Sequence, residues 1–168
     1  RLNQPLLERY NPIKVRIVQP NIEQVEKWKP ELALNFLSKH IKMSRSALEN
    51  GVDLLVWPET ATSFEIQNEK KIRDFILNDL DTDLVLGARR FDDKNNKLYN
   101  SAFMLNKNGD ILAVYDKIRL VPFGEYIPFG ELLASLNLFG LATDGVTGFS
   151  SGEKKILFET EKLGLFKI

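Results

Sequence analysis

Hydrophobic positions recur at two different spacings along the chain, which predicts a protein that combines helices and strands. Residues 14–20, KVRIVQP, alternate between polar and apolar before a proline, which is typical of a strand. Residues 30–50 carry apolar side chains at helical spacing, with Pro30 suited to the first turn and Gly51 just beyond the end. The apolar run LLVW, residues 54–57, shows no alternation, which indicates a strand covered on both faces.

The second half of the chain turns from helices to strands. A second helix is predicted over residues 69–78 and a third strand over residues 84–88. The segment NKNGD separates two strand-like runs within residues 98–117, and its Asn-Gly pair is a strong hairpin signal. A further pair of short strands is predicted over residues 156–159 and 163–168. Strands that first alternate with helices and then pair with one another predict an α/β layered domain.

The predicted elements occupy residues 14–168, which are expected to form one domain. Residues 1–13 are expected to be an irregular lead-in or linker, because Pro5 and Pro12 interrupt any helix there. The chain does not begin with Met, and it ends within a predicted strand at Ile168. We therefore expect a fragment whose natural sequence continues beyond Ile168.

The composition excludes several classes of function. Lys plus Arg and Asp plus Glu number 23 each, and no block of five like charges occurs, so nucleic-acid binding has no electrostatic footprint. The chain contains no cysteine, and therefore no disulfide, thiolate metal site or thiol nucleophile of its own. No run reaches the roughly 18 apolar residues that a transmembrane helix needs. His40, the only histidine, is expected on a helix surface, which argues against a Ser-His-Asp triad or a multi-histidine metal site.

Glu59 stands directly after the apolar strand, in the stretch WPET. Pro58 cannot donate to a strand ladder, so the chain is expected to leave the sheet here and to place Glu59 at the carboxyl end of the strand. Strand ends of this kind are where α/β folds place binding and catalytic groups. The alternative is a solvated loop acid or a cap of the following segment.

Two further charged residues occur in YDKIRLVPFGEYIPFGE, residues 115–131. Lys117 ends a predicted strand, as Glu59 does, and Glu125 follows in a PFG turn. One interpretation is that the three charged groups converge on one pocket. The alternative is a cationic strand terminus and an ordinary turn acid, both in water. Spacing alone does not decide between these interpretations.

Three motifs resemble the nitrilase-type domain of the apolipoprotein N-acyltransferases: WPET around Glu59, YDKIRLVPFGEYIP around Lys117 and Glu125, and VQPNIEQVEKW ending at Trp28. They occur in the family's order, and the resemblance extends over residues 15–168. It implies an αββα sandwich with a Glu–Lys–Cys triad, in which Glu59 matches the general base and Lys117 the lysine. Glu125 matches an acid near the active site, with a structural turn acid as the alternative. Trp28 matches an aromatic near the substrate region, with packing under a loop as the alternative.

The chemistry of acyl transfer explains these residue types. A carboxylate whose pKa is raised by partial desolvation can take the proton of a thiol, and a fixed ammonium stabilises the oxyanion of a tetrahedral intermediate. The resemblance ends just before the family's nucleophile, so the cysteine is expected directly after Ile168. Because these 168 residues contain no cysteine, the chain alone is expected to be inactive.

The resemblance implies that the full-length protein moves an acyl chain from a phospholipid, through a cysteine thioester, to the N-terminal amine of a diacylglyceryl-modified apolipoprotein. It implies no cofactor and no metal. It places the enzyme in the bacterial inner membrane, with the catalytic domain on the periplasmic side. Residues 129–149, FGELLASLNLFGLATDGVTGF, are expected to form a membrane-facing loop, with an amphipathic helix packed on the sheet as the alternative.

Two other functions are open at this point. One is a soluble carbon–nitrogen hydrolase, an amidase or nitrilase, in which water replaces the amine acceptor on the same triad. The other is a non-catalytic scaffold module that lacks the nucleophile. The motif LVPFGEYIP and the apolar loop argue against the hydrolase, and the residue that follows Ile168 would distinguish the enzyme from the scaffold.

Overall fold

The computed structural model describes residues 13–23, 25–27, 29–48, 51–78, 80–126, 128, 148–160 and 164–166. The helices are α1 (Ala33–Leu48), which follows a 3-10 turn over Pro30–Leu32, and α2 (Lys70–Leu77). The strands are β1 (Val15–Ile17), β2 (Leu54–Val56), β3 (Asp83–Asp92), β4 (Lys97–Leu105), β5 (Ile111–Asp116), β6 (Phe158–Thr160) and β7 (Gly164–Phe166). The predicted order of helices and strands is confirmed, with ends that differ by a few residues.

Five strands form one mixed sheet in the order β1-β2-β3-β4-β5. The first three are parallel, and Leu54 of β2 pairs with Val15 on one side and Asp83 on the other. β3, β4 and β5 are antiparallel neighbours. The hairpin between β4 and β5 turns at the predicted Asn-Gly pair, where Gly109 has a φ of 82°, a conformation that glycine adopts without steric cost. The hairpin between β3 and β4 was not predicted.

Both helices pack on one face of this sheet. Because side chains alternate between the two faces of a strand, every second residue of β3 and β4 points to the helices. The core on this side contains Leu37 and Ile41 of α1, Ile76 and Leu77 of α2, and Leu55, Leu84, Leu86, Phe103 and Leu105 of the sheet. Each such side chain contributes about 1.5–3 kcal/mol to stability by leaving water, so this face is the main core.

The opposite face of the sheet packs against β6. Leu54, Val85 and Met104 surround Phe158, which is fully buried. β6 pairs with β7 in a separate two-stranded sheet. The strand over Leu54–Val56 is therefore covered on both faces, as its unbroken apolar run predicted. The described residues form a helix layer, a sheet and the beginning of a second sheet layer.

The buried stripe of α1 differs from the predicted one. His40 was expected on the helix surface, but it is buried, and its ring lies 4.8 Å from the ring of Trp57. The stripe begins at Leu37 and includes His40 and Ser44, which follow at the i+3 and i+7 positions of the helical repeat. Leu34 lies outside this stripe and is exposed in spite of its apolar side chain.

Candidate active site

Glu59 lies in a bulge between two segments that pair with β3. Before the bulge, the Gly87 N–H donates to the Pro58 carbonyl at 3.2 Å, and after it the Ala61 N–H donates to the Gly87 carbonyl at 2.8 Å. Thr60, within the bulge, has a φ of 51°, which non-glycine residues rarely adopt. β2 ends at Val56, so Glu59 lies beyond its carboxyl end as predicted. The chain does not stay away from the sheet, however, because pairing with β3 resumes two residues after Glu59.

Lys117 directly follows β5, and its side chain points to both predicted carboxylates. Its backbone N–H donates to the Asn100 carbonyl at 2.8 Å. Its Nζ atom donates to Glu125 Oε1 at 2.8 Å and to Glu59 Oε1 at 3.3 Å. The structure thus brings together the three charged residues that the sequence singled out, from two separate stretches of the chain.

Glu125 is locked in a tight turn. Its Oε2 atom accepts a hydrogen bond from the Val121 N–H at 2.8 Å, and its own N–H donates to the Val121 carbonyl at 2.8 Å. Its Oε1 atom accepts from Lys117 and, at 2.9 Å, from Asn100 Nδ2. Both carboxylate oxygens of Glu125 are therefore engaged.

The hydrogen bonds of this turn set the charge states of Glu125 and Lys117. Burial by itself raises the pKa of Glu125, but the hydrogen bonds from Lys117, Val121 and Asn100 outweigh it and hold the pKa below its usual value. The hydrogen bond to Glu125 raises the pKa of Lys117 against the opposing effect of burial. Both groups are consequently charged at neutral pH.

Asn100 is a residue of this site that the sequence analysis missed. It lies in β4, is buried, and donates its side-chain amide to Oε1 of Glu59 and Oε1 of Glu125. One amide group thus links the two carboxylates that flank Lys117. The available signal was a polar residue within the strand-like run LYNSAFML, because a buried polar group requires partners.

A later segment of the chain fixes the backbone of the site. The Phe149 N–H donates to the Glu125 carbonyl at 2.6 Å, and the Gly152 N–H donates to the Lys117 carbonyl at 3.0 Å. A side chain at Gly152 would collide with the carbonyl oxygen of Asp116, so only glycine allows this close approach. Phe149 was expected at the end of the membrane-facing loop, and no role was predicted for residues 150–152.

Several predictions fall outside the described residues. They concern Trp28, residues 129–147 of the proposed membrane-facing loop, and Ile168, beside which the cysteine is expected. Glu59 is within the described residues, and its side chain is 60% exposed. The described part of the chain therefore does not supply the desolvation that was expected around this carboxylate.

The site presents one open carboxylate beside one fixed ammonium. Glu59 is 60% exposed, whereas Glu125 is 12% exposed, so an approaching group can reach the first far more easily than the second. Lys117, held by both, can donate hydrogen bonds to an oxygen that develops negative charge. Among the described residues, no group of three or more His, Cys, Asp or Glu side chains is arranged to hold a metal ion.

Comparison with known proteins identifies relatives over most of the chain. The family model for carbon-nitrogen hydrolase matches residues 14–161. The apolipoprotein N-acyltransferase of Geobacter metallireducens is 38% identical over 157 residues, which cover 90% of this chain and 30% of that protein. The apolipoprotein N-acyltransferase of Rhizobium meliloti is 34% identical over 167 residues, which cover 92% of this chain and 31% of that protein. The chain thus spans about 30% of the length of these relatives.

Solved structures show the same fold. Nit3 of Saccharomyces cerevisiae, a member of branch 10 of the nitrilase superfamily, matches with a TM-score of 0.60 and 20% identity over 92% of this chain and 54% of its own. A variant of the amidase from Nesterenkonia sp. AN1 matches with a TM-score of 0.56 and 16% identity over 95% of this chain and 56% of its own. The expected α/β nitrilase-like fold, in part, is therefore confirmed. The chain belongs to the carbon-nitrogen hydrolase family.

Proposed function

We propose that this chain is part of the catalytic domain of an apolipoprotein N-acyltransferase. The full-length protein would transfer an acyl chain from a phospholipid to the N-terminal amine of a diacylglyceryl-modified lipoprotein. The observation that carries the proposal is the convergence of Glu59, Lys117 and Glu125 in a chain of the carbon-nitrogen hydrolase family. The similarity to apolipoprotein N-acyltransferases supports the choice of an amine, and not water, as acyl acceptor.

The first half-reaction forms a thioester. The thiol of a cysteine in the full-length protein, outside these 168 residues, gives its proton to Glu59 and attacks the ester carbonyl carbon of the phospholipid. Lys117 donates hydrogen bonds to the oxyanion that forms on the carbonyl oxygen. The ester C–O bond then breaks, the lysophospholipid oxygen takes the proton from Glu59, and the acyl group remains on sulfur.

The second half-reaction forms an amide. The N-terminal amine of the lipoprotein attacks the thioester carbonyl carbon, and Glu59 takes a proton from the attacking nitrogen. Lys117 again stabilises the oxyanion until the C–S bond breaks. The departing thiolate recovers the proton from Glu59, which returns both groups to their starting states.

The two carboxylates are suited to different roles. In the described part of the chain, the hydrogen bonds that Glu59 accepts from Lys117 and Asn100 both go to Oε1, which leaves Oε2 to receive a proton. Glu125 instead has both oxygens engaged and a lowered pKa. Glu59 therefore serves as the base, and Glu125 holds Lys117 in place.

The proposed substrates place the reaction at a membrane. We assign the full-length protein to the bacterial inner membrane, with this domain on the periplasmic side. Of the helices in the described residues, none combines the length and the apolar composition needed to cross a bilayer. The assignment rests on the similarity to the apolipoprotein N-acyltransferases, which are about three times as long as the matched part.

A reconstituted assay tests the proposal. Full-length protein in phospholipid vesicles is mixed with a peptide that carries an N-terminal diacylglyceryl-cysteine, and the products are measured by mass spectrometry. We expect N-acylated peptide and lysophospholipid in equal amounts, and neither product from the 168-residue chain, which has no cysteine. Free fatty acid without acylated peptide would assign a hydrolase instead. No product from the full-length protein would support a scaffold.

A further inference from the structure

Arg90 and Asp116 form a two-pronged ion pair beside the strand ends of the site. Arg90 Nε donates to Asp116 Oδ1 at 2.9 Å, and Arg90 Nη2 donates to Oδ2 at 2.7 Å. Ser101 Oγ donates to the same Oδ1 at 2.6 Å, and the guanidinium lies 4.4 Å from the centre of the Tyr99 ring. These contacts link β3, β4 and β5 through side chains on neighbouring strands.

This cluster lies on the face of the sheet opposite to the site. Successive residues of a strand point to opposite faces. Asp116 is the neighbour of Lys117, and Ser101 is the neighbour of Asn100, so the backbone that the cluster holds is the backbone from which two site residues project. Asp116 and Ser101 are also direct partners in the pairing of β4 with β5.

We propose that Arg90 and Asp116 are positioning residues: they hold the backbone at the end of β5 and so fix the direction in which the Lys117 side chain projects. The inference rests on the proposed function, in which Lys117 stabilises the oxyanion. A two-pronged contact between a guanidinium and a carboxylate restricts orientation as well as distance. Asp116 accepts two hydrogen bonds from Arg90 and one from Ser101, so its side chain cannot rotate without breaking them, and the adjoining peptide of Lys117 is held with it.

Loss of the ion pair between Arg90 and Asp116 would displace Lys117 in the site. Without Arg90, Asp116 becomes a partly buried carboxylate with fewer hydrogen-bond donors. Its side chain then lowers its free energy by turning towards water, which replaces the lost donors. That movement shifts the end of β5, where Lys117 Nζ depends on a 2.8 Å contact with Glu125. A displacement of about 1 Å is enough to break a hydrogen bond of this length.

Arg73 provides a matched control at the other end of the same hairpin. Its Nε atom donates to the Gly109 carbonyl in the turn between β4 and β5 at 2.8 Å, and Nη1 donates to the Ile66 carbonyl at 2.6 Å. Arg73 therefore stabilises the hairpin through similar hydrogen bonds, but far along β5 from Lys117. Its loss should reduce stability without moving the ammonium.

The test measures the reactivity of Lys117 in the full-length protein. Wild type, Arg90→Gln and Arg73→Gln are treated with a trace of acetic anhydride, and acetylation of Lys117 is compared with that of exposed Lys154 by mass spectrometry. The pairing with Glu125 raises the pKa of Lys117 and keeps it unreactive. We expect Arg90→Gln to increase the relative labelling of Lys117 by about tenfold, because a weaker contact with Glu125 lets the pKa of Lys117 fall, and Arg73→Gln to leave the labelling unchanged.

Unchanged labelling of Lys117 in folded Arg90→Gln would overturn the inference. If that variant does not fold, Asp116→Asn, which keeps the shape of the side chain, takes its place with the same expected result. The labelling needs no acyl transfer, so its outcome can be read even if the full-length protein proves not to be an acyltransferase. In an active enzyme, Arg90→Gln should also lower the rate of acylation at saturating phospholipid.

Discussion

Gly87 lies directly against the backbone of Glu59: a Cβ atom at Gly87 would be 2.6 Å from the Glu59 Cα atom. The same Cβ atom would lie 2.7 Å from the Pro58 carbonyl oxygen and 2.8 Å from the Thr60 nitrogen. All three neighbours are backbone atoms, so none can rotate away. The bulge that carries Glu59 therefore rests on β3 at the one position that has no side chain.

Gly87→Ala should displace the bulge and impair the enzyme. We expect a loss of about 1–3 kcal/mol in stability from the added methyl group, since cores tolerate overpacking poorly. We also expect acylation to slow by at least about tenfold, because small displacements of a catalytic group are costly. Thermal unfolding and the vesicle assay on the full-length protein measure the two effects.

Gly124→Ala is the matched control for this prediction. A Cβ atom at Gly124 would meet its nearest neighbour, Val121 Cγ1, at 3.6 Å, which is an ordinary contact. The control variant should keep nearly the stability and rate of wild type. Gly87→Ala with wild-type rate and stability would show that the bulge can move without consequence.

Asn100→Asp should impair the enzyme by replacing a shared donor with a third carboxylate. Both Glu59 and Glu125 lose a hydrogen bond, and the new charge competes for Lys117. A hydrogen bond to a charged group is worth about 1.5–3 kcal/mol, so the rate should fall by about tenfold or more. The acid limb of the pH–rate profile should also move to higher pH, because clustered carboxylates bind protons more tightly.

Asn68→Asp separates this effect from a general effect of the substitution. Asn68 also donates its amide to a glutamate, Glu65 Oε1, at 3.1 Å, but this hydrogen bond is exposed to solvent. We expect this variant to keep the wild-type rate and pH profile. Equal losses of rate in Asn100→Asp and Asn68→Asp would show that Asn100 has no specific role in the site.

His40 should make stability depend on pH. Burial lowers the pKa of His40 from its usual value, and its Nε2 atom has no hydrogen-bond partner among the described residues. The folded state therefore binds the proton less readily than the unfolded state. Stability is full above about pH 6.5 and falls as the pH drops towards the folded pKa, by about 1.4 kcal/mol for each pKa unit of depression.

His40→Gln should flatten this dependence. The melting temperature of the wild-type full-length protein should fall between about pH 7.5 and 5, on either side of the ordinary histidine pKa. The melting temperature of the variant should fall less over the same interval, because glutamine does not titrate. Identical slopes for the two proteins would show that His40 does not contribute.

The order of elements was predictable from the sequence because hydrophobic spacing and turn residues are local signals. The hairpin between β3 and β4 was missed because its turn contains no glycine. It is held instead by the Asp92 side chain, which accepts hydrogen bonds from the Lys94 N–H at 3.1 Å and the Asn95 N–H at 3.4 Å. Asn96 has a φ of 51°, a left-handed conformation that asparagine tolerates in turns, so this turn forms without the Asn-Gly pair that marks the other hairpin.

His40 was placed wrongly because polarity was taken as a sign of exposure. Ser44 accepts a hydrogen bond from Trp57 Nε1 at 2.9 Å and donates one to the His40 carbonyl at 2.9 Å. His40 Nδ1 lies 2.8 Å from the Phe36 carbonyl oxygen. These contacts make two polar side chains acceptable in the core, but nothing in the helical spacing indicates them.

The charged residues of the site were identified, whereas the groups that organise them were not. Glu59 and Lys117 were recognisable from their positions after strands, Glu125 from its position in a turn, and all three from the resemblance to a family. Asn100 reaches them across 41 and 25 residues of sequence, and such long-range contacts leave no local pattern. The bulge at Glu59 was missed for the same reason, because it depends on pairing with Gly87.

The rate of thioester formation tests the central claim most directly. Full-length wild type, Glu59→Gln and Lys117→Ala are mixed with phospholipid vesicles, and the acylated cysteine is quantified over time by mass spectrometry. Glu153→Gln and Lys154→Ala, at exposed positions, are the controls and should match wild type. We predict that Glu59→Gln and Lys117→Ala each form the thioester at least about 100-fold more slowly while remaining folded, in line with the loss of one oxyanion donor or base. A rate within about tenfold of wild type in either folded variant would contradict the role assigned to that residue.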